Sequence, residues 1–379
     1  MKVAILHEML VKFGGAEKVL ENFLEIFPEA DLFTLIYDEK KMWKFFQKEQ
    51  INSQVFSLPT QKRYNLFKKQ RLCLLLMARS VEQLDFSSYD LVLCSSSWFA
   101  HWAITKPETK FVVYYHSPAR YLWDWTNEYK KDIGFNKWIK WFLLNRLFLK
   151  LRMWDYIASN RPDIRIANSS NTAWRIKKYY KKDSVVLYPG IETERFWNPP
   201  PSPLPSKEGG FSDNYYIIIS TLTEYKKIDL AIKWFNGIND SNLIIIWGGD
   251  YRWELEKQIT WDNIKLVWPK YDDELVHLVQ NSRWLIFPGE EDFGMVPIEV
   301  MAAGKPVFAY NWWWLKETVI AWITWEFFDE KNGLDFIEKF EEFNKNNIEG
   351  KYISENCKKQ AKKFSMWEFE RKLRGIIKI

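Results

Sequence analysis

The sequence predicts an α/β protein with two domains, each built on a doubly wound parallel sheet. Short apolar runs alternate with helical patterns through both halves of the 379 residues, and a proline-rich stretch separates the two series. Strands that alternate with helices at this interval pair in parallel, and the length suits two domains of ordinary size.

The first series of apolar runs predicts six strands, at residues 3–6, 32–37, 91–95, 111–115, 164–167 and 185–188. A helical pattern opens at Gly14-Gly15, directly after the first strand, and continues to about residue 26. The second series predicts five further strands, at residues 216–220, 243–246, 264–267, 284–287 and 307–309.

These patterns divide the chain into an N-terminal Rossmann-like domain at residues 1–190, a hinge and Pro-rich linker at 191–213, and a C-terminal domain at 214–363. Ligands of such sheets bind beyond the carboxyl ends of the strands. We therefore expect the two domains to face each other across a cleft that holds the ligand.

Composition indicates a globular protein, with 47% hydrophobic and 27% charged residues. The net charge of +5 is small for this length and does not imply nucleic-acid binding. Cys73, Cys94 and Cys357 lie far apart, as expected of reduced packing thiols. The N-terminus does not resemble a signal peptide, and no apolar run reaches the ~18 residues of a membrane span, so we expect a cytoplasmic protein.

The most informative stretch follows the strand at 284–287. Pro288-Gly289 ends the strand, Glu291 lies in the next loop, and a helical pattern begins at Met295 and ends before Gly304. Glu299 lies one turn into this helix. The amides at the helix start can bind a phosphate, and the two carboxylates beside them suit the sugars of a sugar nucleotide.

This stretch resembles the Glu-x7-Glu signature of the retaining glycosyltransferases of family four, which have the two-domain GT-B fold. The match includes the strand, the Phe293-Gly294 pair and the Met-Ala-Ala-Gly-Lys-Pro exit. The resemblance implies that Glu291 contacts donor sugar hydroxyls, that Glu299 contacts the ribose, and that the amides of 293–295 bind phosphate. It also implies a last helix, at about 364–379, that crosses back onto the first domain.

A second motif, at residues 220–230, resembles the family's Ser-Arg-Leu-x-x-x-Lys element, whose basic residues neutralise the departing diphosphate. Lys226 matches the lysine, but Thr221 stands at the arginine position and cannot supply a positive charge. Either Lys227 compensates or neutralisation is weaker. Gly14-Gly15 is the expected approach of the first domain to the donor phosphates, although a plain tight turn fits these glycines as well.

A third motif, at residues 116–124, resembles the acceptor-side loop of mannosyltransferase-like members. There the resemblance places His116 beside the transferred sugar, and Arg120 and Asp124 hold the loop. His7 is interpreted as a packing or supporting residue, and His101 and His277 give no functional signal. The sequence contains no Asp-x-Asp and no cluster with metal-ligand spacing, so we expect no metal and no cofactor. Lys226 and the helix dipole must then neutralise the leaving diphosphate.

The segment at residues 137–155 is basic, aromatic and amphipathic. It is compatible with peripheral contact with an anionic membrane surface, which suits a lipid-linked acceptor. A helix that packs on the sheet with a basic outer face is the alternative.

Tryptophan is unusually abundant: the chain has 22 Trp and 15 Gly, whereas ~7% glycine gives roughly 27. We hypothesise that many of these codons are UGA, read as glycine in the organism that encodes the protein; UGG codons at Trp312, Trp313 and Trp314 would refute this. A Trp-rich sugar-binding surface is the alternative, and Trp123 fits its motif as a true tryptophan. Other Trp at expected turns are Trp98, Trp102, Trp247, Trp268, Trp322 and Trp325.

Together the motifs imply a retaining hexosyltransferase that uses a nucleotide-sugar donor and a glycan or lipid-linked acceptor. Among subfamilies, they look most like mannosyltransferases that use GDP-mannose in the assembly of bacterial envelope polysaccharides. A nucleotide-sugar 2-epimerase of the same fold and a non-catalytic sugar-nucleotide binding module are the alternatives.

Overall fold

The structure is a computed structural model that describes residues 1–126, 138–197, 215–238, 240–246, 248–249, 251–270, 272–289, 291, 293–311, 317–318, 325–328 and 334–378. The chain divides into two compact units. The first unit comprises Met1–Tyr188 and Glu370–Ile379, and the second comprises Pro189–Phe369.

The described part of the first unit contains a six-stranded parallel sheet in the order β2-β1-β3-β4-β5-β6. Its strands are β1 (Val3–His7), β2 (Asp31–Thr34), β3 (Leu91–Ser96), β4 (Lys110–Tyr115), β5 (Ile164–Ala167) and β6 (Val185–Val186). Its helices are α1 (Gly15–Ile26), α2 (Glu39–Met42), α3 (Pro59–Phe67), α4 (Met77–Glu82), α5 (Trp138–Ala158) and α6 (Ser170–Tyr180). The central strands β1, β3 and β4 are almost wholly buried, as helices on both faces of a parallel sheet require.

The second unit has a six-stranded parallel sheet in the order β12-β11-β10-β7-β8-β9. Its strands are β7 (Tyr215–Ile219), β8 (Asn242–Ile246), β9 (Ile264–Val267), β10 (Ser282–Phe287), β11 (Val307–Tyr310) and β12 (Trp325–Phe328). Its helices are α7 (Ile228–Phe235), α8 (Arg252–Glu256), α9 (Asp272–Gln280), α10 (Met295–Ala302), α11 (Leu334–Ile348) and α12 (Ser354–Lys362). The last helix, α13 (Met366–Ile377), begins in this unit and ends in the first.

The last turns of α13 are hydrogen-bonded to other residues of the first unit. Arg374 donates to the carbonyl of Ile26 at 3.3 Å and lies over the Phe27 ring. Lys110 donates in turn to the carbonyl of Ile377 at 2.9 Å. The first unit is thus closed by the end of the chain.

The two parallel sheets confirm the predicted fold class, and the eleven predicted strands are all present, with shifted ends. The prediction at 32–37 was too long, because β2 ends at Thr34 and the buried run beyond it is not in the ladder. Trp325 was placed at a turn, which is wrong: it begins β12, which pairs in parallel with β11. Trp247, Trp312, Trp313, Trp314 and Trp322 lie outside the described residues, as does most of the predicted linker.

A buried carboxylate is hydrogen-bonded to the indoles of Trp102 and Trp123. Asp155, on α5, is fully buried and accepts hydrogen bonds from the indole of Trp102 at 2.9 Å, the indole of Trp123 at 2.7 Å and the hydroxyl of Tyr180 at 2.9 Å. An unpaired charge at this depth would be costly. These bonds join α5, α6 and the loop after β3.

The other described tryptophans at predicted turns do not have the positive φ that favours glycine. Among the described residues, the non-glycine positions with positive φ are all lysines: Lys68, Lys181, Lys227 and Lys378. Trp98 and Trp268 thus adopt backbone conformations open to any residue, and the codon hypothesis stays a prediction.

The three cysteines are buried and free, as predicted. A search of the part of the chain that the structure describes finds no helix with the length and apolar content needed to traverse a bilayer.

Substitution of three glycines by alanine distinguishes the cost of a positive φ from the cost of a steric clash of the new Cβ. Gly304 and Gly350 both have positive φ, but a Cβ on Gly304 would collide with Ser354 Oγ, whereas a Cβ on Gly350 meets nothing within 4 Å. Gly304→Ala should lower the free energy of unfolding by about 2–4 kcal/mol and Gly350→Ala by about 1 kcal/mol. Gly375→Ala, in open space on α13, should raise it by about 0.5–1 kcal/mol. Urea unfolding followed by circular dichroism measures the series, and equal losses for Gly304 and Gly350 would contradict it.

Candidate functional site

The predicted donor residues of the second unit lie on loops that leave neighbouring strands. β7 and β10 are adjacent and parallel, so the loops after Ile219 and Phe287 emerge at the same edge of the sheet. The first loop contains a short 3₁₀ helix, Glu224–Lys226, and the second leads into α10. The pairing of these two strands brings residues 65 positions apart in sequence together.

Lys226 and Glu291 form an ion pair at this edge. The ammonium of Lys226 lies 2.6 Å from Glu291 Oε2, and the lysine side chain is 5% exposed whereas the glutamate is 38% exposed. The ammonium also lies 5.0 Å from the centre of the Tyr225 ring. A nearly buried cation needs such partners, so Glu291 stabilises Lys226 while one side of the carboxylate still faces solvent.

Two glycines, Gly289 and Gly249, pack directly against the backbone of the loop that contains Lys226. A Cβ on Gly289 would lie 2.5 Å from the carbonyl oxygen of Lys226, and one on Gly249, after β8, would collide with the main chain of Leu222. Because the opposing atoms are backbone, no side-chain rotation relieves either contact. Glycine at both positions therefore lets three neighbouring loops pack closely.

The start of α10 offers amides without a side-chain cap. Gly294 is the N-cap residue, with a φ of 76° that favours glycine, and as a glycine it has no side chain to cap the first turn; among the described residues the structure records no hydrogen bond from the amides of that turn to a side chain. The amides of Met295 and Val296 are therefore available, and Pro297, which has no N–H, is tolerated in the first turn. Aligned peptide dipoles make this end of the helix attractive to an anion.

Glu299 is one turn further along α10 and is 7% exposed. Among the described residues the structure records no hydrogen bond or ion pair for its carboxylate. A buried carboxylate without a protein partner suits a residue that receives a ligand hydroxyl. Phe293 is buried against Phe364, with ring centres 5.9 Å apart, and anchors the loop before the helix.

Thr221 lies in the loop after β7, partly exposed. The departure at this position is not filled by a neighbouring arginine: Arg252 is paired with Glu256 at 2.6 Å and lies over the Trp268 ring. Lys227, the alternative cation, adopts a left-handed backbone (φ 54°) as N-cap of α7 and is partly exposed. Its role as a substitute for the arginine stays a prediction.

In the first unit, Gly14 and Gly15 begin α1 directly after β1. Gly14 is the N-cap with an extended backbone (φ −165°), and its nearest prospective contact for a Cβ is Glu17 Oε2 at 3.3 Å. The conformation does not itself require glycine at Gly14. The proposed approach to phosphate by these two glycines stays a prediction.

His116 follows β4 and is joined to two neighbouring strands by side chains. Its Nε2 lies 2.8 Å from Ser95 Oγ, and Ser95 lies 3.0 Å from Nδ1 of His7, whose Nε2 lies 3.3 Å from Glu17. Burial, and secondly the nearby His7, lower the pKa of His116 from its ordinary 6.5 to about 3. The imidazole is therefore neutral throughout the physiological range.

The loop after His116 is held by ion pairs as the motif suggested. Asp124 lies 3.9 Å from Arg120 and 3.3 Å from Arg175 on α6, and Arg120 also lies over the Trp125 ring. The hydroxyl of Thr172 on α6 also donates to the carbonyl of His116 at 3.1 Å. The loop is thus joined to α6 at His116 and at Asp124.

Sequence reasoning missed several polar groups at this sheet edge. Glu8 is buried and accepts from the hydroxyl of Ser96 and the amide of Ala100, both at 3.2 Å, and from the amide of Trp98. Burial raises the pKa of Glu8, and the two amide hydrogen bonds oppose that rise. Ser95 and Glu17 were also not proposed. The signal available was the polar residues at the ends of two strands, His7-Glu8 at the end of β1 and Ser95-Ser96 at the end of β3.

No group of three or more His, Cys, Asp or Glu side chains suited to a metal ion occurs within the described residues. The predicted site residues fall into two groups, and each group lies within one unit. Lys226, Glu291, Phe293, Gly294, Met295 and Glu299 form the group of the second unit, and Gly14, Gly15 and His116 lie at the sheet edge of the first.

Gly289 provides a test of the second group. Gly289→Ala should push the loops of Lys226 and Glu291 apart and weaken binding of GDP or UDP at least about tenfold, about 1.4 kcal/mol. Gly248→Ala is the matched control, because its Cβ would meet Pro269 at an ordinary 3.5 Å. Isothermal titration calorimetry measures both; equal affinity in the two variants would show that the close packing of these loops is irrelevant to the nucleotide.

Solved structures share this architecture along the whole chain. Anabaena HepE in complex with UDP superposes with a TM-score of 0.74 at 16% identity, covering 100% of both chains. Sucrose-phosphate synthase from Thermosynechococcus elongatus gives a TM-score of 0.73 at 13% identity, covering 99% of this chain and 98% of the other. These likenesses show the fold, which is the GT-B arrangement of two parallel-sheet domains.

Curated relatives match over part of the chain. An uncharacterized glycosyltransferase of Methanocaldococcus jannaschii is 29% identical over 224 residues, which is 58% of this chain and 60% of that protein. The alpha-1,3/1,6-mannosyltransferase ALG2 of Candida glabrata is 26% identical over 201 residues, 41% of this chain and 44% of that protein. The matches therefore span about half the length of these relatives.

Two family models match consecutive parts of the chain. The Glycosyltransferase Family 4 model matches residues 13–195, and the model of Glycosyl transferases group 1 matches residues 206–364. The first contains the Gly14-Gly15 and His116 motifs, and the second contains Lys226, Glu291 and Glu299. The chain belongs to the family-four type of glycosyltransferases.

Proposed function

We propose that the protein moves a hexose, with retention of anomeric configuration, from a nucleotide-diphosphate sugar to a glycan or lipid-linked acceptor. The observation that carries the proposal is the ion pair of the nearly buried Lys226 with Glu291, beside the uncapped start of α10. In this arrangement Lys226 and the amides of Gly294 and Met295 bind the diphosphate, and Glu291 and Glu299 bind donor hydroxyls. Thr221 and Phe293 shape the same loops.

The charge balance of the site supports diphosphate binding. In the structure, Lys226 is paired with Glu291. A diphosphate at the start of α10 would supply a second anion to the ammonium, and Glu291 would then be free to accept from a sugar hydroxyl. Developing charge on the leaving phosphate is stabilised by the same cation and helix end, without a metal ion.

Mannose is the proposed sugar, and GDP-mannose the proposed donor. The likeness to a mannosyltransferase of Candida glabrata supports this choice, as does the His116 motif. HepE binds UDP and UDP-glucose, so UDP-glucose is the competing donor to test. His116 of the first unit is proposed to contact the transferred sugar as a neutral hydrogen-bonding group.

The described part of α5 supports peripheral contact with an anionic membrane at its cytoplasmic face. Its inner face is buried through Phe148, Leu151 and Asp155, whereas Leu149 and Met153 are more than half exposed. Other exposed residues on this side include Arg146, Lys150, Trp154, Tyr156 and Ile157. Apolar side chains among cations suit the interface of an anionic bilayer.

Thr221 in place of the arginine favours one second candidate, a sugar-nucleotide binding module without turnover. A nucleotide-sugar 2-epimerase remains the alternative enzyme. Each alternative predicts a different outcome from a transferase. A binding module binds GDP or UDP but releases no sugar from the donor. An epimerase isomerises UDP-N-acetylglucosamine when no acceptor is present.

Transfer is tested with radiolabelled GDP-mannose and UDP-glucose, octyl α-mannoside as acceptor, and EDTA present. We expect labelled octyl disaccharide, with its new bond α-configured by NMR. Lys226→Met and Glu291→Gln should each lower kcat/KM at least about a hundredfold, about 2.7 kcal/mol, because each removes half of the buried pair. The assay is run on the chain as written and with Trp312, Trp313 and Trp314 replaced by Gly.

Lys233→Met and Glu254→Gln are the matched controls, since both residues are exposed on the same unit. They should transfer at the wild-type rate. Full activity of Glu291→Gln, or a strict requirement for a divalent cation, would contradict the proposed use of the site.

Membrane contact is tested by flotation with vesicles of phosphatidylcholine alone or with phosphatidylglycerol. We expect the anionic vesicles to carry several times more protein, less so at high salt, and Leu149→Ser/Met153→Ser to remove most of this binding. Ile353→Ser, an equally exposed apolar residue of the second unit, is the control. Unchanged flotation of the double variant would refute the contact.

A further inference from the structure

Four polar side chains form a continuous hydrogen-bonded chain at the carboxyl edge of the first sheet. His7 ends β1, Ser95 lies near the end of β3, and His116 follows β4, while Glu17 lies in the first turn of α1. The order of strands, β1-β3-β4, places the three strand-end residues side by side. The chain runs Glu17–His7–Ser95–His116.

Sheet register brings these groups within bonding distance. His7 and Ser95 are direct partners across β1 and β3, and the amide of His116 donates to the carbonyl of Ser96 at 2.9 Å. The three side-chain distances are 3.3 Å for Glu17 to His7, 3.0 Å for His7 to Ser95, and 2.8 Å for Ser95 to His116. His7 and Ser95 are buried, at 3% and 0% exposure, so water does not substitute for these bonds.

The number of hydrogens determines the direction of each bond when His7 is neutral. The carboxylate of Glu17 can only accept, so Nε2 of His7 carries the hydrogen and Nδ1 is the acceptor. The single hydroxyl hydrogen of Ser95 must then go to His7 Nδ1. Ser95 Oγ consequently accepts from Nε2–H of His116, and Nδ1 of His116 keeps a free electron pair.

The surroundings of His116 leave this electron pair available. Burial and the proximity of His7 hold the pKa of His116 at about 3, so the ring is neutral and must be in one of two tautomers. Among the described residues the structure records no hydrogen bond to its Nδ1. The ring is only partly buried, and the tautomer therefore decides whether a ligand meets an acceptor or a donor.

We propose that Glu17, His7 and Ser95 are positioning residues that hold His116 in the Nε2–H tautomer, so that its Nδ1 accepts a hydrogen bond from a substrate hydroxyl. The hydroxyl belongs to the transferred or receiving sugar, and this part rests on the proposed function. The tautomer itself depends only on the four side chains. The start of α1 is thereby coupled to His116 through two buried residues.

The tautomer is measured directly by ¹⁵N–¹H long-range correlation NMR on the full chain labelled with ¹⁵N-histidine. Four histidines give few signals, which single substitutions assign. At pH 8.5, above the ordinary histidine pKa of about 6.5, we expect His7 and His116 both in the Nε2–H form. A wild-type His116 with its hydrogen on Nδ1 would overturn the proposal.

Variants test whether the chain causes this state. Glu17→Leu removes the acceptor at similar size and should convert the His116 signals to those of a tautomer mixture, as should Ser95→Ala. In the Ser95→Ala background, Glu17→Leu should have no further effect, because the link is already broken. Glu29→Leu, an exposed residue beyond the same helix, is the control and should leave His116 unchanged.

Transfer measurements separate this proposal from the proposed function. Glu17→Leu and Ser95→Ala should each lower kcat about tenfold with the donor KM unchanged, and the double variant should equal Ser95→Ala. If the protein transfers sugar but Glu17→Leu leaves the His116 signals unchanged, the tautomer proposal alone fails. If the NMR result holds but no sugar is transferred, the proposed function fails and the positioning chain stands.

Discussion

The nearly buried ammonium of Lys226 is the constraint on which the donor-side geometry depends. A cation at that depth requires an anion in contact, and Glu291 supplies it at 2.6 Å. The contact is possible because β7 and β10 are neighbours and because Gly289 has no Cβ to hold their loops apart. Charge, sheet order and a missing side chain therefore act together at one point. The uncapped start of α10 lies in the same loop and adds a second feature attractive to anions.

The first unit shows the same principle with neutral and acidic groups. Three buried polar groups of this unit have such partners: Glu8 is bonded to the loop after β3, Asp155 to two indoles and a phenol, and His7 to Ser95 and Glu17. Such pairing is what makes their burial tolerable. It also makes the edge rigid, because each group is positioned by partners on different elements. A neutral imidazole at His116 is a consequence of this packing.

The sequence predicted the features that depend on neighbouring residues and missed those that depend on contacts between residues far apart in the chain. Strand existence was predicted well, since a parallel strand is a local apolar run, and the motif around Glu291 was recognised from local spacing. β12 was missed because Trp325 was interpreted through an expected turn. Ser95 was not proposed because nothing near it in sequence reveals its contacts with His7 and His116. Each failure concerns a contact between residues distant in the chain.

The sequence by itself determined the two-domain α/β class, the positions of most strands along the chain and the family, because periodicity and motif spacing are local properties. Only the tertiary structure decided which loops meet. Strand order in a sheet is set by packing of the whole domain, so the Lys226–Glu291 pair and the Glu17–His7–Ser95–His116 chain exist only once β7 lies beside β10 and β3 lies between β1 and β4. The burial of His116, which lowers its pKa, also depends on the packing of the whole domain.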